Sequence, residues 1–310
     1  MVRVIILERT KLHMNTSFRS GFVAIVGRPN VGKSTLLNAM VGEKVAIVSN
    51  RPQTTRNRLM GICGGDDHQI VFVDTPGIHK PRTALGNYMM QAVQEGMDGI
   101  DALMVLVDVT AVGPQDRQIA EDMSKKKLPT FLLLNKIDLV QPQELLRIID
   151  IFKDMGFKSI LPISAMKGEG LETLKNELLS VMPHGPKYFP DDMMTDQPER
   201  LLCAELVREK ALLHLRDEVP HGIGIEILGM EKKNNNLIEI HADIYCERDS
   251  HKSIIIGKRG SMITLIGREA RADMESLLGM RVNLQLFVKV RPGWRDSISD
   301  LKTLGYDNKN

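Results

Sequence analysis

The segment Gly27-Arg28-Pro29-Asn30-Val31-Gly32-Lys33-Ser34 sets two glycines, a lysine and a hydroxyl at the spacing G-x-x-x-x-G-K-S. A loop of this kind wraps phosphate groups. Glycines let the backbone curl, successive N–H groups turn inward, and a helix starting at the end of the loop adds a dipole favourable to anions. Lys33 is placed to reach the β- and γ-phosphates of a nucleotide, and the Ser34 hydroxyl to ligate Mg²⁺. The expected contact set of the loop is Arg28, Pro29, Asn30, Val31, Gly32, Lys33, Ser34 and Thr35. A glycine-rich turn without a ligand is the alternative. The apolar run Phe22 to Val26 before the loop and the helical run to Met40 after it favour the phosphate reading.

Asp74-Thr75-Pro76-Gly77 closes the apolar run Ile70-Val71-Phe72-Val73. A carboxylate at a strand end can hold Mg²⁺ through water, and the Gly77 N–H can sense a γ-phosphate. Asn135-Lys136-Ile137-Asp138 follows Phe131 to Leu134. A carboxylate at Asp138 accepts hydrogen bonds from a purine bearing both N1–H and a 2-amino group, which describes guanine and excludes adenine. Read structurally instead, Asp138 would cap a helix start. Ser164-Ala165, after Ile160 to Ile163, can offer a backbone N–H to guanine O6. The catalytic candidates are Lys33, Asn30 and Gly77.

These residues need strand ends to hold them. Between Gly21 and Met182, strand-like runs at Phe22–Val26, Gln69–Val73, Ala102–Val107, Thr130–Leu134 and Ser159–Pro162 alternate with helical periodicity, as in Gln115–Lys126 and Gln143–Met155. Apolar central strands alternating with helices predict a mostly parallel sheet covered on both faces, which binds ligands beyond the strands' C-terminal ends. The Pro-rich stretch 183–198 reads as a linker. From Glu199 the order becomes α-β-β-α-α-β, with a helix to Arg216, strand-like runs at Gly222–Met230, Leu237–Cys246 and Val282–Val290, and a polar turn at Lys232–Asn236.

The 310 residues allow about two domains. With 43% hydrophobic and 26% charged residues the chain is ordinarily globular, and its net charge of +2 names no partner. Three scattered cysteines show no zinc spacing and suit reduced thiols in the cytoplasm. No apolar run approaches the roughly 20 residues that span a bilayer. Residues 1–20 read as an N-terminal extension that packs poorly, with Met14 a second candidate start beside Met1.

Ile256-Gly257-Lys258-Arg259-Gly260 forms a G-x-x-G turn between two helical segments. Backbone and basic side chains at such a turn can approach about four nucleotides of a single strand. Between Arg248 and Arg295, ten Lys/Arg face four Asp/Glu, so positive charge concentrates around the turn. A helix–turn–helix link with a solvated basic face is the alternative. Trp294, the only tryptophan, is either a packing anchor or a platform for a base, and packing is favoured.

The ordered motifs GRPNVGKS, TTR, DTPG, NKID and ISA resemble the translation-factor-related small GTPases, over residues 21–182. The C-terminal part, 199–310, resembles a type II KH domain. Together, from Gly21 to Tyr306, the chain resembles the bacterial Era GTPases. The implied fold is an α/β P-loop GTPase domain with a mostly parallel sheet, followed by a smaller α+β KH domain. The resemblance also implies GTP as substrate, Thr55 as a third Mg²⁺ ligand (with Thr54 the alternative), and binding near the 3′ end of small-subunit ribosomal RNA. It further implies a role in 30S subunit maturation and loose association with the inner face of the cell membrane; a monomer is expected. One position departs from the Ras-like pattern. Ile78 stands where a water-orienting glutamine would follow the D-x-x-G motif. In similar GTPases an asparagine at the position of Asn30 ligates K⁺, which offsets transition-state charge; a residue that merely tolerates a tight turn is the other reading of Asn30. An RNA-binding scaffold holding an unhydrolysed nucleotide, and a GTPase of tRNA modification or membrane remodelling, remain as alternatives.

Overall fold

The computed structural model describes residues 17–49, 51, 54–78 and 81–306. Both candidate starts, Met1 and Met14, lie outside the described residues. The first unit is a six-stranded sheet in the order β2-β3-β1-β4-β5-β6, built from β1 (Arg19–Val26), β2 (Leu59–Gly64), β3 (His68–Asp74), β4 (Ala102–Asp108), β5 (Thr130–Asn135) and β6 (Ser159–Ile163). All neighbours are parallel except β2 and β3. Helices α1 (Lys33–Val41), α2 (Ala84–Gly96), α3 (Pro114–Ser124), α4 (Pro142–Phe152) and α5 (Leu171–Val181) cover the two faces. Successive strand residues point to opposite faces, so two cores form. Ala24, Val26, Val105 and Leu132 lie in one; Val23, Ile25, Met104 and Leu133 lie in the other. A sheet buried on both sides explains why its strands read as unbroken apolar runs.

Strand β2 escapes the sequence pattern. Leu59-Met60-Gly61-Ile62-Cys63-Gly64 carries two glycines, which weaken strand propensity. Its pairing is fixed by tertiary contacts: β3 on one side, and on the other the Met194 carbonyl, which accepts the Ile62 N–H at 2.9 Å, with a bridge from Gly61 to Thr195.

The second unit follows the expected order: α6 (Glu199–His214), β7 (Gly224–Asn234), β8 (Leu237–Cys246), α7 (Asp249–Ile256), α8 (Ser261–Leu278), β9 (Arg281–Val290) and a closing helix α9 (Ile298–Thr303). β7 and β8 are antiparallel, β8 and β9 parallel. Alternate β8 residues Ile238, Ile240, Ala242, Ile244 and Cys246 face the helices. Trp294 is a packing anchor: it is fully buried, and its indole N–H donates to the Gly222 carbonyl at 3.0 Å.

Two boundaries differ from the sequence expectation. β1 opens at Arg19, because residues 183–186 lie beside it: Gly185 N–H donates to Phe18 O, and Ser20 Oγ donates to Pro186 O at 2.7 Å. The stretch expected as a free linker is thus fastened to the first unit. Gln69 makes the main fastening. Its side-chain oxygen accepts the N–H groups of Tyr188 and Phe189, at 2.9 and 3.0 Å, and its amide donates to the Phe189 carbonyl at 2.9 Å. Phe189 is buried, and Tyr188 packs on Phe22 with ring centroids 5.1 Å apart.

The units meet across the loop between α1 and β2. Arg208 and Glu209, adjacent on α6, hold its two legs. Glu209 Oε1 accepts the Val48 N–H at 2.8 Å, and the Arg208 guanidinium donates to the Thr54 carbonyl. Arg56 then enters the second unit and is fully buried there. It donates to Ile223 O at 2.8 Å, Tyr306 Oη at 3.1 Å and His221 O at 3.2 Å, with its guanidinium carbon 5.7 Å from the Trp294 ring centre and 5.9 Å from that of Tyr306. Beside it, Leu85 and Met89 of α2 share a core with Tyr245, Trp294, Leu301 and Tyr306.

Replacing Gln69 by Ala leaves three buried backbone groups unpaired, so Gln69→Ala should cost about 2–3 kcal/mol and expose 183–195 to limited proteolysis; an unchanged digestion pattern would contradict the fastening. Arg56→Ala should cost about 3 kcal/mol and red-shift Trp294 emission while leaving far-ultraviolet dichroism intact. Urea unfolding followed by tryptophan fluorescence checks this, and a wild-type midpoint would refute it.

Candidate functional site

The loop 27–32 leaves β1 and turns into α1 through left-handed backbone at Asn30 (φ 66°) and Gly32 (φ 102°). No side chain caps α1, so its first N–H groups point into a cleft of about 330 Å³. Lys33 lies on the cleft floor, with Nζ donating to Arg28 O at 3.0 Å and Gly27 O at 3.3 Å. Burial lowers its pKa to about 8, with the Asp74 charge opposing the shift. An anion in the cleft would favour the protonated form. Gly77 closes the loop from the side: a Cβ there would stand 2.6 Å from Pro29 N, so only glycine permits the approach. Ile78 donates its N–H to Gly27 O, and its side chain packs against the core on that face.

Three oxygens converge beside Lys33. Ser34 Oγ lies 2.8 Å from Thr55 Oγ1 and 2.8 Å from Asp74 Oδ2, and Thr55 Oγ1 donates to Asp74 Oδ2 at 3.3 Å. Octahedral Mg²⁺ at about 2.1 Å from its ligands sets neighbouring oxygens about 3.0 Å apart, so the Ser34 and Thr55 hydroxyls, 2.8 Å from each other, are spaced to take adjacent positions on the ion. Asp74 is fully buried, its Oδ1 has no hydrogen-bond partner, and burial raises its pKa against the pull of Lys33. A buried carboxylate with a spare oxygen calls for a cation. Thr54 is turned away, donating to Arg51 O at 2.6 Å, so of the two threonines only Thr55 joins this cluster.

At the far end Asn135 braces three segments. It donates to Val31 O at 2.8 Å and accepts the Ala165 N–H at 3.0 Å. Lys136 pairs with Asp108 at 2.5 Å and donates to Asn30 O at 3.1 Å. Asp138 is exposed in the cleft and accepts Ser164 Oγ at 2.6 Å on one carboxylate oxygen.

Several expected residues play other parts. Arg28 reaches outward to Asp116 and Ala111 O, both at 2.6 Å, so only its backbone faces the loop interior. Thr75 Oγ1 donates to Ile25 O at 2.9 Å; neither it nor Pro76 lines the cleft. The N–H groups of Ser164 and Ala165, expected to be open for guanine O6, are taken by Glu169 O and Asn135 Oδ1. Leu139 and Met166, 66% and 72% exposed, line the cleft beside Asp138 and were missed. A single apolar residue after a motif has no periodicity to betray it, but a large hydrophobic side chain left exposed in a cleft suits a flat ring.

The G-x-x-G turn joins α7 to α8. Gly257 has φ 74° and its missing Cβ would meet Met262 Cβ at 2.7 Å; Gly260 has φ 79°. Lys258 and Arg259 are exposed, whereas Ile256 packs against the core.

A family model described as a 50S ribosome-binding GTPase matches residues 22–136, and a KH-domain model matches 218–295. GTPase Era of Ruminiclostridium cellulolyticum is 50% identical over 297 residues, covering 95% of this chain and 100% of its own. GTPase Era of Clostridioides difficile is 51% identical over 296 residues, covering 94% and 100%. Among solved structures, Era in complex with MgGDPNP and nucleotides 1506–1542 of 16S ribosomal RNA aligns with a TM-score of 0.89 at 40% identity, over 93% of this chain and 99% of that one. A single-substitution variant of Aquifex aeolicus Era bound to GDP·AlF4⁻ gives the same values. With half of its residues shared along the full length of these relatives, and a phosphate loop and a G-x-x-G turn both built as such proteins require, the chain belongs to the Era GTPases.

Proposed function

We propose that this chain is a GTP-driven switch that binds the 3′-terminal region of small-subunit ribosomal RNA through its KH domain and serves maturation of the 30S subunit. The observation that carries the coupling is the double hold of Arg208 and Glu209 on the loop that delivers Thr55 to the metal oxygens. A Mg²⁺ ion held by Ser34, Thr55 and, through water, Asp74 would fix that loop while a γ-phosphate is present. Loss of the phosphate frees it. Thr54 and Arg56 flank Thr55, so the displacement reaches α6, Trp294 and Tyr306 directly. The relative solved with MgGDPNP and 16S ribosomal RNA supports the same pairing of ligands.

In this reading the N–H groups of Arg28 and of residues 30–35, with the Lys33 ammonium, hold the phosphates, and Pro29, which has no N–H, only shapes the loop. Asp138 selects guanine, Lys136, Leu139 and Met166 flank its ring, and the Gly77 N–H meets the γ-phosphate. Ile78 offers no hydrogen bond to water. Asn30, exposed at the loop's rim, would hold K⁺ against the transferring phosphate in place of a charged side chain. Lys258, Arg259 and the Gly257–Gly260 backbone take the RNA strand. We infer a cytoplasmic monomer with weak attachment at the inner membrane face; among the described residues no helix is long and apolar enough to cross a membrane.

A ligand shifts a two-state equilibrium only through unequal contacts, so RNA affinity should differ several-fold between the GDP and GDPNP forms, and Arg208→Ala should bring the two values together. Fluorescence anisotropy with labelled RNA checks both, and equal affinities in the wild type would defeat the switch. Multiple-turnover phosphate release should be at least tenfold faster in K⁺ than in Na⁺ at equal ionic strength, with Asn30→Ala abolishing the difference. Equal wild-type rates would remove K⁺ from the mechanism.

A further inference from the structure

Helix α8 buries Ile266, Ala270 and Met274. At 100° per residue its outer face carries Arg268, Arg271 and Glu275, with Thr264, Leu265 and Ala272 among them. The acids of the helix are committed elsewhere. Glu269 accepts from His214 at 2.7 Å, Asp273 pairs with Lys44 and Lys210 at 2.8 and 2.6 Å, and Glu275 Oε1 accepts the Val282 N–H at 3.0 Å. The cations of the outer face are not so committed. Arg268 and Arg271, and Arg281 at the start of β9, are exposed, and among the described residues their guanidinium groups have no ion pair or hydrogen bond. Arg271 and Arg281 flank an open depression of about 530 Å³ with Asn234, Asn236 and Glu275 on its walls. Lys258 and Arg259 stand at the other end of the helix, about 17 Å away along its axis.

A G-x-x-G turn clamps only about four nucleotides. We propose that the outer face of α8 is a second RNA-backbone contact, in which Arg268, Arg271 and Arg281 take phosphates of the strand beyond those held at the turn. Guanidinium forks suit phosphate, and the two asparagine amides can hydrogen-bond phosphate or 2′-hydroxyl oxygens. The chemistry favours RNA over a lipid surface. A helix lying on a membrane needs a broad flank of large apolar side chains beside its cations, and this face offers only Ala272 and the half-buried Leu265 between Thr264 and Glu275. The inference rests on RNA binding at the Gly257 turn.

The test uses the full chain with GDPNP and two probes: nucleotides 1506–1542 of 16S ribosomal RNA, and the tightest binder among hexanucleotides tiled from it. The variant is Arg268→Ala/Arg271→Ala/Arg281→Ala, and unchanged GDPNP affinity confirms that it folds. The long RNA should bind at least tenfold more weakly, and the slope of log affinity against log salt should become shallower by about 2, the value for three single-strand phosphate contacts. The hexanucleotide should bind as before. Gly257→Asp should lose both probes. Equal losses for both lengths, or none for the long RNA, overturn the second contact while leaving the turn in place. Loss of binding to phosphatidylglycerol vesicles with unchanged long-RNA affinity overturns it in favour of a lipid surface. A wild-type protein that binds neither RNA overturns the RNA reading itself, and this contact with it.

Discussion

The buried guanidinium of Arg56 is the contact on which the two halves of the molecule depend. A charged side chain without a carboxylate partner is costly to bury unless its donors are met and its planar faces covered. Three oxygens meet its two terminal nitrogens, Trp294 and Tyr306 lie beside the faces, and only Nε, buried as well, has no hydrogen-bond partner. All but Arg56 itself come from the C-terminal unit. The residue next to it, Thr55, is the one whose hydroxyl approaches Ser34 and Asp74. One peptide bond therefore separates this cluster of oxygens from the domain interface, and little can happen at one without being felt at the other.

The nucleotide cleft is braced from within. Asn135 connects the phosphate loop to the Ala165 turn, and Lys136 connects the same loop to β4 through Asp108. Residues that look like base readers in a motif therefore serve first as braces. Bracing of this kind ties the loops to one another, and loops so tied cost less ordering entropy on binding.

Strands with both faces buried declare themselves as apolar runs, so β1, β3, β4 and β5 were legible from the sequence, as were the loops at their ends. β2 was not, because its two glycines interrupt the apolar run and part of its support comes from residues 194–195, more than a hundred positions away. The phosphate loop and the G-x-x-G turn were legible because their geometry demands glycine at fixed spacing. Leu139, Met166 and Asp108 were not, since each is an ordinary residue made special only by what stands beside it. The proline-rich stretch misled for a related reason. Proline signals a lack of regular structure, and nothing in the composition of 183–198 reveals that Gln69 is waiting to hydrogen-bond its backbone.

That fastening changes the mechanics of the chain. A slack tether lets a domain wander within the radius of its contour length. Here the stretch is lashed across the sheet, residues 183–186 to β1, Tyr188 and Phe189 to β3 and residues 194–195 to the edge strand β2, and the Asp196 carboxylate, accepting the Met60 N–H at 3.0 Å, carries the lashing almost to Pro198, the cap of α6. The covalent link between the units is therefore a fastened strap and not a slack leash, and the buried Arg56 contact joins the same two units at a second place. Inserting residues into 183–195, harmless in an ordinary tether, would here disturb the edge strand of the GTPase sheet itself.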